Sequence, residues 1–299
     1  MKNASHLYWF ALIIVIAVFP SYMFAQDSLW TKTFGGTNID VAYAIEETFD
    51  EGYIIAGYTR SYGTASGRNL WIFRTDKHGN LIWNKAFGGN SDDEAAAVKQ
   101  TQDGGFIAAG YTSSFGNGAK DVYIVKTDSL GNEIWSRTFG GTSDEEAYAV
   151  EVLPDGGYLV GGATSSSGAG SRDGWLIRLN AQGNSVWIKT IGGLSTDGIR
   201  GLQRTADNGF IITGWTASEG AGVLGKAWLV KTDSSGNILF NKNFGGSDAD
   251  RGLSVQQTAD GGYVLTGYTA SSGAGLDDMY LVKTDASGNQ LWAKTFGGT

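Results

Sequence analysis

One octapeptide, repeated, limits what this chain can fold into. WTKTFGGT at residues 30–37 returns as WNKAFGGN, WSRTFGGT, WIKTIGGL, FNKNFGGS and WAKTFGGT, anchored at Trp30, Trp83, Trp135, Trp187, Phe240 and Trp292. The intervals are 53, 52, 52, 53 and 52 residues. A period this long and regular belongs to a solenoid, a propeller or an array, in which each unit buries its apolar faces against its neighbours.

Within one period, DDEAAAVKQT is followed by QDGG, FIAAGYTSS, the loop FGNGAK, DVYIVKTD, the turn SLGN and EIWSRTFGG. Aromatic and β-branched runs separated by Asp-Gly and Asp-x-x-Gly-Asn predict four short strands joined by hairpins, because glycine supplies the positive φ that such turns need. The turn residues recur as Asp50, Asp103, Asp155, Asp207 and Asp260, and as Gly79, Gly131, Gly183, Gly236 and Gly288. Four antiparallel strands in about 50 residues make the blade of a β-propeller. The second and fourth residues after each opening acid are small in four of five units, as in Ala95 and Ala97, which suits the strand nearest the axis. The Trp strand is then outermost. We expect an all-β fold of five four-stranded blades over residues 26–299. The sixth Trp segment is a surplus strand, the twenty-first, and the ring is expected to close as a monomer.

Composition narrows the partners. A formal net charge of −8 excludes a sequence-independent grip on nucleic acid, which needs clustered Lys and Arg. With no cysteine, disulfides, thiol chemistry and thiolate metal sites are excluded. The first 25 residues carry Lys2, an apolar run from Leu7 to Phe19, Pro20 and Ala25, and read as a signal peptide cleaved after Ala25. The mature protein is therefore expected outside the cytoplasm, in the periplasm, on the cell surface or secreted, without an integral membrane span. An uncleaved anchor is the alternative, since the apolar run nearly reaches spanning length.

The motifs W-x-K-T-F-G-G-x-x-x-D-x-A, D-G-G-Y-x-x-x-G-Y-T-x-S and D-x-Y-L-V-K-T-D-x-x-G-N resemble the bacterial β-propeller repeat family, the SBBP-type repeats of exported proteins. The resemblance runs from Trp30 to Thr299 and implies a propeller and export, with no defined enzymatic activity. KTDSLGNEIW also looks like the Trp-docking motif of quinoprotein propellers, but hairpin packing alone explains it.

Chemistry has few candidates. An acid stands four residues after each Gly-Gly, as Asp40, Asp93, Glu145, Asp197 and Asp250. These five carboxylates could ring one mouth of the axial channel and hold Ca2+, or each could accept backbone N–H groups at the start of its strand, the simpler reading for a feature copied in every unit. No other cofactor is expected. The recurrent basic residues Arg74, Lys126, Arg178, Lys231 and Lys283 are expected to be offset by the adjacent Asp76, Asp128, Asp233 and Asp285. His78, in a hairpin turn, is the single histidine beyond the signal segment, which disfavours a Ser-His-Asp triad and excludes a multi-histidine metal site. The fourth unit departs most from the repeat, and Arg200, Trp215 and Glu219 are the candidate ligand site, a placement that suits sugar stacking. The sequence thus predicts a non-enzymatic binding or scaffolding module for an extracytoplasmic protein or glycan. A carboxylate-based glycoside hydrolase and a passive spacer of a larger surface repeat protein are the alternatives.

Overall fold

The computed structural model describes residues 30–63, 66–218 and 224–298; the segment expected to be a signal peptide lies outside the described residues. These residues form twenty strands in five four-stranded antiparallel sheets, with no helix among them and so none long and apolar enough to cross a membrane. Blade one is β1 (Asp40–Glu47), β2 (Tyr53–Thr59), β3 (Asn69–Thr75) and β4 (Leu81–Phe87). Blade two is β5 (Asp93–Gln100), β6 (Phe106–Thr112), β7 (Asp121–Thr127) and β8 (Glu133–Phe139). Blade three is β9 (Glu145–Val152), β10 (Tyr158–Thr164), β11 (Asp173–Leu179) and β12 (Ser185–Ile191). Blade four is β13 (Asp197–Arg204), β14 (Phe210–Thr216), β15 (Lys226–Thr232) and β16 (Ile238–Phe244). Blade five is β17 (Asp250–Gln257), β18 (Tyr263–Thr269), β19 (Asp278–Thr284) and β20 (Gln290–Phe296). The fold is a five-bladed β-propeller, with the strands opened by an acid innermost and the Trp strands outermost.

Local chemistry sets the hairpins. In the first hairpin of blade two, Thr101 N donates to Gly105 O at 2.9 Å and Gly104 takes φ +80°. Asn208 and Glu51 hold that positive-φ place in blades four and one, at 66° and 64°. In the second hairpin, Asp128 accepts the backbone N–H groups of Leu130 and Asn132, each at 2.8 Å. That role corrects the expected charge pairing. The basic residues reach back to the first hairpin, Lys126 to Asp103 at 3.0 Å, Lys231 to Asp207 at 2.9 Å and Lys283 to Asp260 at 2.9 Å, with Arg74–Asp50 and Arg178–Asp155 alike. Asp76, Asp128, Asp233 and Asp285 instead hold their own turns.

Blades join through repeated contacts. The middle strands of blade two are buried almost throughout because that blade is covered on both faces, by blade one and by blade three. Ile54, Leu70 and Ile72 of blade one meet Val98, Phe106 and Tyr123 of blade two in a shared core, and equivalent cores join blades two to three, three to four and four to five. At the rim, the outer-strand aromatic sits on the next blade's turn. Trp83 Nε1 donates to Ser129 O at 3.1 Å, and a Cβ on Gly131 would lie 2.8 Å from the Trp83 ring. Gly183 meets Trp135, Gly236 meets Trp187 and Gly288 meets Phe240 in the same way.

The surplus octapeptide forms no strand. Residues 30–36 are irregular, so the described residues hold twenty strands and not the expected twenty-one. Within the unit that begins at Lys32, the segment still makes the contacts of its copies on blade one: Lys32 Nζ donates to Asn80 Oδ1 at 3.4 Å, as Lys85 does to Asn132 at 3.3 Å. Phe34 packs on Phe73 at 4.8 Å between ring centroids. Ring closure differs from expectation. Among the described residues, no shared core joins blade five to blade one.

Candidate functional site

Each innermost strand carries one β-bulge at the same place. Pairing slips between Ala42 and Ala44 in β1, Ala95 and Ala97 in β5, Ile199 and Gly201 in β13, and Gly252 and Ser254 in β17. In β9 the slip falls opposite Ala147 and Ala149. A bulge re-aims the extra side chain. The extra residues are Tyr43, Ala96, Tyr148, Arg200 and Leu253, and all five line one axial cavity of about 810 Å³. Arg68, Glu94, Tyr111, Lys120 and Glu146 complete its charged and aromatic wall.

This wall is a linked polar network. Tyr111 Oη donates to Glu94 at 2.6 Å, and Arg68 pairs with the same carboxylate. Lys120 Nζ and Arg172 Nη2 hold Glu146 at 2.6 and 2.5 Å, and Tyr148 Oη donates to it as well. Burial alone would raise the Glu146 pKa, but the hydrogen bonds from Lys120, Tyr148 and Arg172 outweigh it and hold the carboxyl at about 2. Burial, with the Glu146 charge second, pushes the Tyr148 phenol up to about 12. At neutral pH the wall presents one firmly ionised carboxylate and neutral phenols.

The structure brings Arg200 and Trp215, two of the candidate residues, together. The Arg200 guanidinium lies 3.7 Å from the Tyr148 ring centroid and 5.1 Å from that of Trp215, and Arg251 lies 5.7 Å from that of Trp215. The departures of blade four form a matched set: Gly198 stands opposite Trp215 in register, and a Cβ there would lie 2.2 Å from the indole. The small residue makes room for the large one. A stacked guanidinium keeps its in-plane N–H groups for a carboxylate or hydroxyl. Among the described residues neither Arg200 nor Arg251 has a carboxylate partner. Glu219 lies outside the described residues.

The five opening acids lie apart, each serving its own blade. Asp93 accepts from Gly89 N and Ser114 Oγ, both at 2.8 Å, and from Thr112 Oγ1; Asp250 accepts from Gly246 N at 3.0 Å, Ser271 Oγ at 2.8 Å and Thr269 Oγ1. Glu145 accepts from Gly141 N at 2.6 Å and Thr164 Oγ1 at 2.9 Å. Asp197 accepts from Gly193 N and Ser218 Oγ, both at 2.8 Å. Asp40 is held by Gly36, Thr59 and Ser61; burial would raise its pKa, but these hydrogen bonds outweigh it and lower it. No three Asp, Glu or His side chains among the described residues are grouped to hold a metal ion.

Sequence reasoning missed Tyr43, Glu94, Glu146 and Tyr148. The signal was present in the repeat itself. One residue after each opening acid the units read Val41, Glu94, Glu146, Gly198 and Arg251, and three residues after it Tyr43, Ala96, Tyr148, Arg200 and Leu253. A place that varies within an otherwise uniform unit is one that the unit's folding does not fix.

The chain matches no protein-family model. Among curated proteins it is 25% identical over 157 residues to the regulatory protein FlaEY of Caulobacter vibrioides, covering 44% of this chain and only 16% of that relative's length. Solved structures share the architecture. A protein of unknown function from Dyadobacter fermentans aligns at TM-score 0.54 and 11% identity, over 86% of this chain and 82% of that one. The α-L-arabinanase of Penicillium chrysogenum complexed with arabinobiose aligns at 0.53 and 11% identity, over 82% and 78%. The WD40 domain of Neurospora crassa Pan2 aligns at 0.50 and 10% identity, over 85% and 78%. Likeness at this identity is likeness of fold.

Proposed function

We propose that the protein is a non-enzymatic, exported binding module of the bacterial propeller-repeat type, which holds an acidic glycan at its axial mouth. One observation carries the reading: five inner strands bulge at the same place and aim five side chains, of four kinds, into a single cavity. The lining suits a sugar acid. Tyr43, Tyr111 and Tyr148 supply aromatic rings, and Arg200 brings positive charge without a carboxylate partner among the described residues, in a chain whose net charge is −8. The arabinanase neighbour, complexed with arabinobiose, is an instance of a propeller holding a glycan. Glycoside hydrolysis at this cavity is the weaker reading, because it needs a carboxylic acid with a raised pKa in the wall, whereas Glu146 is held at about 2 and the glutamates that burial raises, Glu46 and Glu151, do not line it. Export rests on the leader at residues 1–25, and N-terminal sequencing of the mature protein should begin at Gln26.

Calorimetric titration with oligogalacturonate tests the binding reading. Binding is expected, with a neutral xylo-oligosaccharide at least tenfold weaker. Arg200→Ala should lower oligogalacturonate affinity by about 10- to 100-fold, the loss of one or two charge-assisted hydrogen bonds. Equal affinity in the variant, or no binding of the acidic sugar, would defeat the reading.

A further inference from the structure

The two faces at the seam between blade five and blade one are halves of an interface that the chain makes elsewhere four times. In the interface of blades one and two, Leu70 from one side and Val98 from the other are 0% and 5% exposed. Their equivalents at the seam are Met279 on blade five and Ile45 on blade one, and they are 55% and 67% exposed. The rim repeats the contrast. Trp292 occupies on β20 the place of Trp83 on β4 but is 40% exposed, and Phe296, the counterpart of Phe87, is exposed as well. Blade five thus presents an uncovered donor face and blade one the matching acceptor face.

The acceptor face is only partly covered. Residues 32–36 lie over its outer part, with Phe34 beside Trp71 and Phe73, and leave Ile45 open. This cover is not a strand and is held by a few contacts: Lys32 to Asn80, Tyr62 Oη to Gly35 O at 2.9 Å, and Gly36 N to Asp40 at 2.8 Å. A blade arriving there has no ladder to break. The chain's own blade five does not reach it, although Leu253 and Tyr43 of the two end blades line the same cavity. The angle between blades is set by four close-packed cores, and packed cores resist continuous deformation.

We propose that the exposed face of blade five is an association surface for blade one of a second copy of this chain, so that the propeller assembles head to tail. The contact is heterologous, with a different face from each copy, and it continues the internal blade-to-blade packing across the molecular boundary. This inference goes beyond the proposed glycan site and does not depend on it.

The test is sedimentation velocity of the full chain across a hundredfold range of concentration, with two variants placed on the exposed positions. Wild type is expected to shift from monomer to dimer and larger species as concentration rises. Met279→Lys blocks the donor face and Ile45→Lys the acceptor face; each alone should remain monomeric, with unchanged circular dichroism and melting temperature. Mixed one to one, they should form a dimer that grows no further, since one copy keeps its donor face and the other its acceptor face. A wild type that stays monomeric at every concentration would overturn the proposal. So would association that either variant leaves intact, or a mixture that fails to dimerise.

Discussion

Replacing Asp93 by alanine separates a structural carboxylate from a ligand-binding one. Asp93 is fully buried and accepts hydrogen bonds from Gly89 N, Ser114 Oγ and Thr112 Oγ1. A hydrogen bond to a charged group contributes about 1.5–3 kcal/mol, and a buried donor left unsatisfied costs about 1–3 kcal/mol. The two hydroxyls can turn to other acceptors, but the Gly89 amide cannot. We therefore expect Asp93→Ala to destabilise the protein by about 3–5 kcal/mol, and Asp93→Asn, which keeps one acceptor oxygen, by about 1–2 kcal/mol. The same change at Asp40 supplies the control. Its donors are equivalent, Gly36, Thr59 and Ser61, but it sits beside the unpacked seam, where water can replace the lost oxygen. Asp40→Ala should cost about 1–2 kcal/mol. Urea unfolding followed by circular dichroism and Trp fluorescence measures each shift, provided that m stays constant. Equal losses at the two positions, or a loss below about 1 kcal/mol at Asp93, would refute the reasoning.

Three further outcomes follow from the electrostatics. The folded-state pKa of Glu146 lies below its ordinary value, so its stabilisation is present above about pH 4.5 and is lost as pH falls toward about 2. Discounted for partial exposure, that loss is on the order of 1–2 kcal/mol, and Glu146→Gln should flatten this part of the pH–stability curve. Asp173 is pushed up by burial and by the neighbouring Asp197 charge, so its ionised form costs stability above the folded pKa. Asp173→Asn, which copies Asn69 at the same place in blade one, should stabilise by up to about 1 kcal/mol at pH 7 and by less as pH falls toward 4. Finally, if the five opening acids act as hydrogen-bond acceptors alone, millimolar Ca2+ or EDTA should move the melting temperature by less than about 1 °C, whereas a Ca2+-dependent rise of several degrees would support the cation reading.

The fold was legible because its determinants are local. The period, the Asp-Gly and Asp-x-x-Gly-Asn turns and the small residues of the inner strand all lie within a few residues of the structure they direct. Arg200 and Trp215 stood out in the sequence because both broke the repeat. Other features depend on distance in space. Lys126 pairs with Asp103 across the blade, and not with Asp128 two residues away, because the hairpin register brings the first hairpin beneath it. The opening acids find Thr and Ser partners at the end of the next strand and in the loop just after it, as Asp93 does with Thr112 and Ser114. The cavity wall depends on a bulge that shifts which residue faces the axis, and ring closure depends on an angle between blades that no short segment encodes.

The central claim is that the axial mouth is the binding surface, and hydrogen exchange of the mature protein with and without saturating oligogalacturonate tests it most directly. The account predicts that binding slows exchange in β5, β9 and β13, around Glu94, Glu146 and Arg200, and leaves the outer strands β4, β8, β12 and β16 unchanged. Protection confined to the outer strands or the rim loops, with none at the mouth, would contradict it.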